Sequence, residues 1–133
     1  MTGDLVWRSA TELAGSLASG ETSSVEVTEA LIARADAVEG SVAAYLTRTD
    51  DRALEEARAA DERRSRGHPL SRFDGVPIGY KDLFVTKGVS STSGSKILEG
   101  YLPPYDSTVV ERCTAAGMPM LGKLNMDEFA MGS

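Results

Sequence analysis

The chain has very few of the residues that build disulfides, metal centres and thiol active sites. Of its 133 residues, one is a cysteine (Cys113) and one is a histidine (His68). A single cysteine excludes an internal disulfide and a multi-cysteine metal cluster, and a lone thiol fits a reducing cytosol. Since His68 precedes Pro69 in a polar turn, we interpret Cys113 as a small buried hydrophobe and not as a nucleophile paired with histidine.

Basic charge and long apolar runs are also scarce. Acidic residues outnumber basic residues by 20 to 14, for a net charge of −6, whereas a protein that grips a phosphate backbone by itself needs clustered Lys and Arg. No apolar run approaches the roughly 20 residues that cross a bilayer. The N-terminus lacks the basic and apolar segments of a secretory signal. We therefore expect a soluble, cytoplasmic protein with no membrane contact.

Helical patterns dominate residues 1–67. Ser23 and Glu26 have the spacing of a capping box, in which each side chain binds a free N–H at the start of a helix. Apolar residues follow at helical spacing, and Gly40 is a typical end signal. Weak alternation over 41–48 indicates a short strand. The predicted helices cover 9–20, 23–40 and 50–66.

Short apolar strands and turns rich in Gly and Pro replace the helical patterns after Phe73. A strand is predicted over 76–80, a helix over 107–116, a second strand over 118–121 and a turn over 122–125. Strands separated by helices favour a layered α/β fold with a partly parallel sheet. We expect one incomplete domain, mainly helical over 1–67 and with an α/β core over 68–133.

Lys81 is the residue best suited to acid–base chemistry. It ends a short apolar strand that contains glycine and proline, a composition that favours close packing around the lysine stem. Burial lowers the pKa of a lysine, and a neutral amine is a competent general base at pH 7. Strand position alone also allows an exposed Lys81 with its ammonium in water, paired with Asp82.

Two motifs give the chain a resemblance to the amidase signature family. Residues 75–82, Gly-Val-Pro-Ile-Gly-Tyr-Lys-Asp, match the Gly-x-Pro-x-x-x-Lys-Asp stretch of that family. Gly122-Lys123 and residues 125–132, Asn-Met-Asp-Glu-Phe-Ala-Met-Gly, resemble one branch of it, the A subunits of glutamyl-tRNA(Gln) amidotransferases. The resemblance implies an incomplete amidase-signature fold, with α/β/α layers and a mixed sheet.

The resemblance also implies roles for individual residues. In the family, a lysine at the position of Lys81 takes a proton from a serine with a cis peptide bond, and that serine activates a second, nucleophilic serine. Lys81 would be the general base and acid, and Met131, Gly132 and Ser133 would line the substrate pocket. None of the serines of 90–95, nor Ser133, matches either catalytic position. We therefore expect an N-terminal part of such a subunit, inactive by itself because both serines would follow Ser133.

For the whole subunit, the resemblance implies hydrolysis of glutamine through a seryl acyl-enzyme. The ammonia released would convert Glu-tRNA(Gln) to Gln-tRNA(Gln). The implied partners are the B and C subunits of the amidotransferase and, through the complex, a charged tRNA. No cofactor is expected in this chain, because ATP and Mg²⁺ belong to a partner subunit.

Two other functions stay open. A general amidase of the same family would act on small amides and would not copurify with B and C subunits. A non-catalytic scaffold piece or truncated product would leave sheet edges and apolar faces uncovered. Such a fragment should be less stable than a natural domain of its length, or should associate with something that covers those faces.

Asn125, Asp127 and Glu128 also suggest a metal site, since two carboxylates lie close to an amide. Adjacent residues of a helical turn point in different directions, and no histidine is near in the sequence. We therefore interpret this segment as a capped, solvated turn.

Overall fold

A computed structural model describes residues 2–132, which form five α-helices around a three-stranded sheet. Single turns of 3-10 helix lie at Lys96–Leu98 and Glu128–Ala130. The first half of the chain is mainly helical and the second half carries two of the three strands, so the predicted α/β class is confirmed. The elements are α1 (Thr2–Leu5), α2 (Ala10–Ser19), α3 (Ser24–Val42), β1 (Tyr45–Arg48), α4 (Asp50–Ser65), β2 (Ile78–Lys81), α5 (Thr108–Ala115) and β3 (Met120–Leu124).

Strand β3 is the centre of the sheet. The strand order is β1-β3-β2, with β2 parallel and β1 antiparallel to β3. The predicted mixed sheet is therefore confirmed. In the parallel pair, Tyr80 lies beside Lys123 and Lys81 lies beside Leu124. This register brings the end of the lysine motif next to the end of the second motif.

The turn predicted over 122–125 is wrong, because the ladder of β3 continues through Leu124. Gly122 suggested a turn, but the glycine is instead needed because β1 and β3 approach closely at this position and leave no space for a side chain. A Cβ at Gly122 would clash with the carbonyl oxygen of Thr47 on β1. Glycine inside a strand often marks such an approach of a second backbone.

The helix starts follow the local sequence closely. Oγ of Ser9 and Oγ of Ser23 each accept a hydrogen bond from the N–H of the glutamate three residues later, Glu12 and Glu26 respectively. The carboxylate of each glutamate accepts a reciprocal hydrogen bond from the backbone N–H of its serine. The end of α3 differs from the prediction: the helix runs past Gly40 and stops at Ala43, which adopts a left-handed conformation with φ 51°. The N–H group of Ala43 donates to the carbonyl of Glu39 and closes the last turn.

Two apolar clusters hold the elements together. The first packs side chains of α1, α2 and α3 against Val76, and the second joins Tyr80, Val110 and Met120. Cys113 packs against the second cluster but is only partly buried, so it contacts apolar side chains as predicted and is less buried than predicted. Other apolar side chains are exposed, among them Trp7 at 77% and Ile97 at 80%. The low stability or association expected from such uncovered faces stays a prediction.

Acid should weaken the capped helices. Hydrogen bonds from Ser9 hold the pKa of Glu12 below its ordinary value of 4.5, and those from Ser23 do the same for Glu26. A folded-state pKa below the unfolded one means that the unfolded chain binds more protons. This stabilisation is therefore present above the unfolded pKa and is lost as the pH falls through the folded pKa.

We expect the free energy of unfolding to decrease below pH 4.5, and to decrease less in the variant Glu12→Gln/Glu26→Gln, whose amides cap without titrating. Urea denaturation at a series of pH values measures both slopes. Glu29→Gln, on the exposed side of α3, is the control. Equal slopes in the parent and the double variant would contradict the assignment to the capping boxes.

Candidate functional site

Lys81 is the last residue of β2, and its side chain is exposed. Its neighbours Tyr80 and Asp82 are buried, with 2% and 1% of their surfaces accessible, because successive residues of a strand face opposite sides. Within residues 2–132 the close packing predicted around the lysine stem is not found. The strand instead fixes Lys81 through its two neighbours and leaves the amine accessible, so the role of Lys81 as a base stays a prediction.

Asp82 pairs with Lys123, so the predicted alternative is right about the exposed Lys81 and wrong about its pairing with Asp82. The Nζ atom of Lys123 lies 3.2 Å from Oδ1 of Asp82. Oδ1 receives no aligned hydrogen bond, and the contact is therefore an ion pair. Lys123 Nζ also donates to the Phe84 carbonyl and to Ser91 Oγ, each at 2.7 Å. Burial lowers the pKa of Lys123, and the Asp82 carboxylate partly opposes this.

The polar loop over 90–95 is folded onto the end of β2. Oδ2 of Asp82 accepts hydrogen bonds from the backbone N–H of Thr92 at 2.8 Å and from its hydroxyl at 2.6 Å. The carbonyl of Asp82 accepts from the N–H of Ser93 at 3.2 Å. Ser93 and Gly94 both have positive φ, 53° and 68°. The serine-rich stretch is thus a defined turn that both the carboxylate and the backbone carbonyl of Asp82 hold in place.

The segment over 126–132 is attached to this loop. The N–H of Phe129 donates to the Ser93 carbonyl at 2.8 Å, and Ser95 Oγ donates to Glu128 Oε1 at 2.6 Å. Phe129 and Ala130 are both left-handed, with φ of 53° and 56°, a conformation that costs about 1–2 kcal/mol per residue without glycine. The segment predicted as a capped turn is thus a single 3-10 turn with two left-handed residues, and the predicted cap is wrong, because the side chain of Asp127 makes no capping hydrogen bond.

The predicted pocket residues lie at the end of this segment. Met131 is 77% exposed and Gly132 has φ 86°, whereas Ser133 lies outside the described residues. Grooves of about 860 and 550 Å³ open on the helical half, and neither is lined by Lys81 or Met131. The assignment of Met131, Gly132 and Ser133 to a substrate pocket stays a prediction.

The polar residues of the second motif are directed to different partners. Asn125 Nδ2 donates to the carbonyl of Ala43 at 3.1 Å, and its Oδ1 accepts from the N–H of Met126. The carboxylate of Glu128 accepts a hydrogen bond from Ser95 Oγ.

Among residues 2–132, no three His, Cys, Asp or Glu side chains are grouped to hold a metal ion. Nor is any described helix long and apolar enough to cross a membrane.

Sequence reasoning missed Lys123, which is fully buried. A turn was predicted over 122–125, and no buried partner was sought for this lysine, because most lysines are exposed. A signal was available: Lys123 directly continues the apolar run of β3, and a lysine inside an apolar strand needs a buried partner. The sequence does not say which of the 20 acidic residues is that partner.

A family model described as Amidase matches residues 26–133. The A subunit of the glutamyl-tRNA(Gln) amidotransferase of Myxococcus xanthus (strain DK1622) is 57% identical over 122 residues, which cover 92% of this chain and 25% of that protein. The chain thus spans about a quarter of the length of this relative. The resemblance predicted from the two motifs is confirmed for the family and for its branch.

Solved structures share the fold over the same region. One, described as a vestigial protein complex that reveals the evolutionary origins of an s-triazine catabolic enzyme, is 41% identical with a TM-score of 0.88, covering 93% of this chain and 27% of that one. The native peptide amidase from Stenotrophomonas maltophilia is 28% identical with a TM-score of 0.85, covering 92% and 26%. Since the family model matches more than half of the chain, the chain belongs to the amidase family.

Proposed function

We propose that this chain is the N-terminal part of the glutaminase subunit of a tRNA-dependent amidotransferase, the one that converts Glu-tRNA(Gln). The observation that carries the proposal is the 57% identity with the Myxococcus xanthus protein over 92% of the chain. The geometry agrees with it. An amine at the end of a fixed strand, with its neighbours buried and its own side chain exposed, is suited to meet a group supplied by another segment.

In the proposed reaction, Lys81 is the general base and then the general acid. Its amine takes a proton from a first serine, which takes one from a second serine as that hydroxyl attacks the side-chain amide carbon of glutamine. The proton returns through the same relay to the leaving nitrogen, which departs as ammonia. Water then attacks the seryl ester and releases glutamate. We place both serines in the part of the whole protein that lies beyond residues 1–133.

The proposed partners are the B and C subunits of the amidotransferase. The ammonia released would be used in the complex to convert Glu-tRNA(Gln) to Gln-tRNA(Gln) in the cytoplasm. With a net charge of −6, this part of the protein is not suited to hold the tRNA by itself. We assign tRNA binding, ATP and Mg²⁺ to the partner subunits.

A second candidate is a general amidase that needs no partner. The fold shared with the Stenotrophomonas maltophilia peptide amidase, at 28% identity, favours it. The two candidates share Lys81 and the serine relay. They differ in whether the protein assembles with B and C subunits and in whether glutamine is the substrate.

A chimeric protein tests the proposal. Residues 1–133 replace the matching quarter of the Myxococcus xanthus relative, and this chimera is expressed with the B and C subunits of that organism. At 57% identity, we expect a stable complex that releases ammonia from glutamine and forms Gln-tRNA(Gln) at a rate within about tenfold of the unmodified complex. Residues 1–133 alone should release no ammonia, because the relay is incomplete.

The matched control replaces the same quarter with the corresponding segment of the Stenotrophomonas maltophilia peptide amidase, which has the same fold. That control should fail to assemble or should lose glutaminase activity. An assembled but inactive chimera would overturn the proposal. Equal hydrolysis of small amides with and without the B and C subunits would favour the general amidase instead.

A further inference from the structure

The buried pair of Lys123 and Asp82 joins the segments that surround Lys81. Lys123 comes from the central strand β3, and Asp82 directly follows Lys81. Through Ser91 and Thr92, the pair also holds the loop over 90–95. That loop in turn binds the segment over 126–132 through the bond from Phe129 to Ser93. One ion pair therefore connects the strand end, the loop and the second motif.

The contacts of this pair fix position in several directions. The ammonium of Lys123 donates hydrogen bonds to the carbonyl of Phe84 and to Oγ of Ser91. It also lies 3.2 Å from Oδ1 of Asp82, with which it forms the ion pair. The second oxygen of Asp82 accepts two bonds from Thr92. Each of these groups therefore limits the movement of the others.

Packing alone does not account for an ion pair at this place. Lys123 is fully buried and Asp82 is 1% exposed, and the loss of water by two charges offsets most of their attraction. Apolar residues of the same volume would often stabilise a core as well or better. What apolar residues cannot supply is the fixed set of directed contacts between strand β3, the residue after Lys81 and the loop.

We propose that Lys123 and Asp82 are positioning residues for amide hydrolysis, which hold the backbone of Lys81 and the loop over 90–95 in the arrangement where the amine meets the serine hydroxyl. This inference rests on the proposed function, since Lys81 is the base only if that function is correct. Neither residue touches the substrate in this assignment. They affect the rate of hydrolysis only by fixing the position of Lys81.

The test uses the chimeric complex with Lys123→Met, which keeps the length of the apolar stem and removes the ammonium. We expect kcat for glutamine to fall by about 100-fold with KM changed less than about threefold, because small displacements of a catalytic group cost about that much. Arg63→Met is the matched control. It removes the cation from the other buried carboxylate, Asp74, which is 0% exposed and receives two bonds from Arg63. Its kcat per folded molecule should stay within about twofold.

Hydrogen exchange gives a second readout that does not depend on activity. The backbone N–H groups of Thr92 and Ser93 donate to Asp82, so Lys123→Met should speed their exchange at least about tenfold. Arg63→Met should leave these two amides protected. Unchanged protection in Lys123→Met would overturn the inference, whatever the activity of the complex.

The kinetic outcomes separate the two proposals. An unsubstituted chimera that assembles but hydrolyses nothing overturns the proposed function. An active chimera whose kcat is unchanged by Lys123→Met overturns the positioning role alone, and so do equal losses of kcat in Lys123→Met and Arg63→Met.

If Lys123→Met does not fold, Asp82→Asn replaces it, because the amide oxygen of the new asparagine side chain still accepts hydrogen bonds from Thr92. An unchanged kcat in Asp82→Asn then overturns the role, and a loss without a change in KM supports it.

Discussion

Replacing Lys81 by alanine should abolish glutamine hydrolysis by the chimeric complex, with kcat reduced by at least about 10³-fold, within the range that a general base contributes. The substitution removes the amine that starts the proposed relay. Because the side chain is exposed at the end of β2, its removal leaves the sheet and the apolar clusters intact. Assembly with the B and C subunits should therefore be unchanged. Ammonia release from glutamine, measured on complexes purified through the B subunit, gives the result.

Lys81→Arg separates the charge of the residue from its basicity. Arginine keeps the cation and most of the length, but its guanidinium stays protonated in proteins, so this variant should be as inactive as Lys81→Ala. Lys87→Ala and Lys96→Ala, at exposed lysines of the same half of the chain, are the controls and should keep full activity. An alanine variant at position 81 that retains more than a tenth of the parent kcat would remove Lys81 from the mechanism.

Local signals in the sequence predicted the helices well and the site less well. The capping boxes of Ser9 and Ser23 involve residues three apart, so a short window of sequence contains all of their partners. Gly40 has the same kind of local signal, and there the prediction was wrong, because α3 continues to a left-handed Ala43. A glycine in a helix costs only about 1 kcal/mol, which neighbouring turns can offset.

The site depends on contacts that no short window contains. Lys123 meets Asp82 only because β2 and β3 are parallel neighbours, and parallel strands always require a long connection. The residues next to Gly122 predict a turn. The true reason for the glycine is the close carbonyl of Thr47, which belongs to a strand far away in the sequence and is therefore absent from any short window. The lysine motif was found through its resemblance to a family, whereas the groups that hold it in place became visible only with the sheet.

Gly117→Ala should lower the free energy of unfolding by about 4 kcal/mol, which is more than an added methyl group costs at most sites. About 1–2 kcal/mol of this comes from the left-handed backbone, and the rest comes from a disturbed ion pair. Gly117 has φ 82°, and a Cβ there would clash with Oδ1 of Asp74. Asp74 cannot yield easily. Arg63 holds both of its oxygens, at 2.6 and 2.9 Å, and the N–H of Leu70 donates to Oδ2 at 2.8 Å.

Gly67→Ala is the matched control for this prediction. Gly67 has nearly the same backbone angle, φ 74°, but no atom lies within 4 Å of the site of its Cβ. It should lose only the backbone contribution, about 1–2 kcal/mol. Urea denaturation of residues 1–133, followed by circular dichroism, compares the two variants. If the parent is only marginally stable, Gly117→Ala should be unfolded without urea while Gly67→Ala stays folded. Equal losses would mean that Asp74 moves aside at no cost and that its bonds to Arg63 are weak.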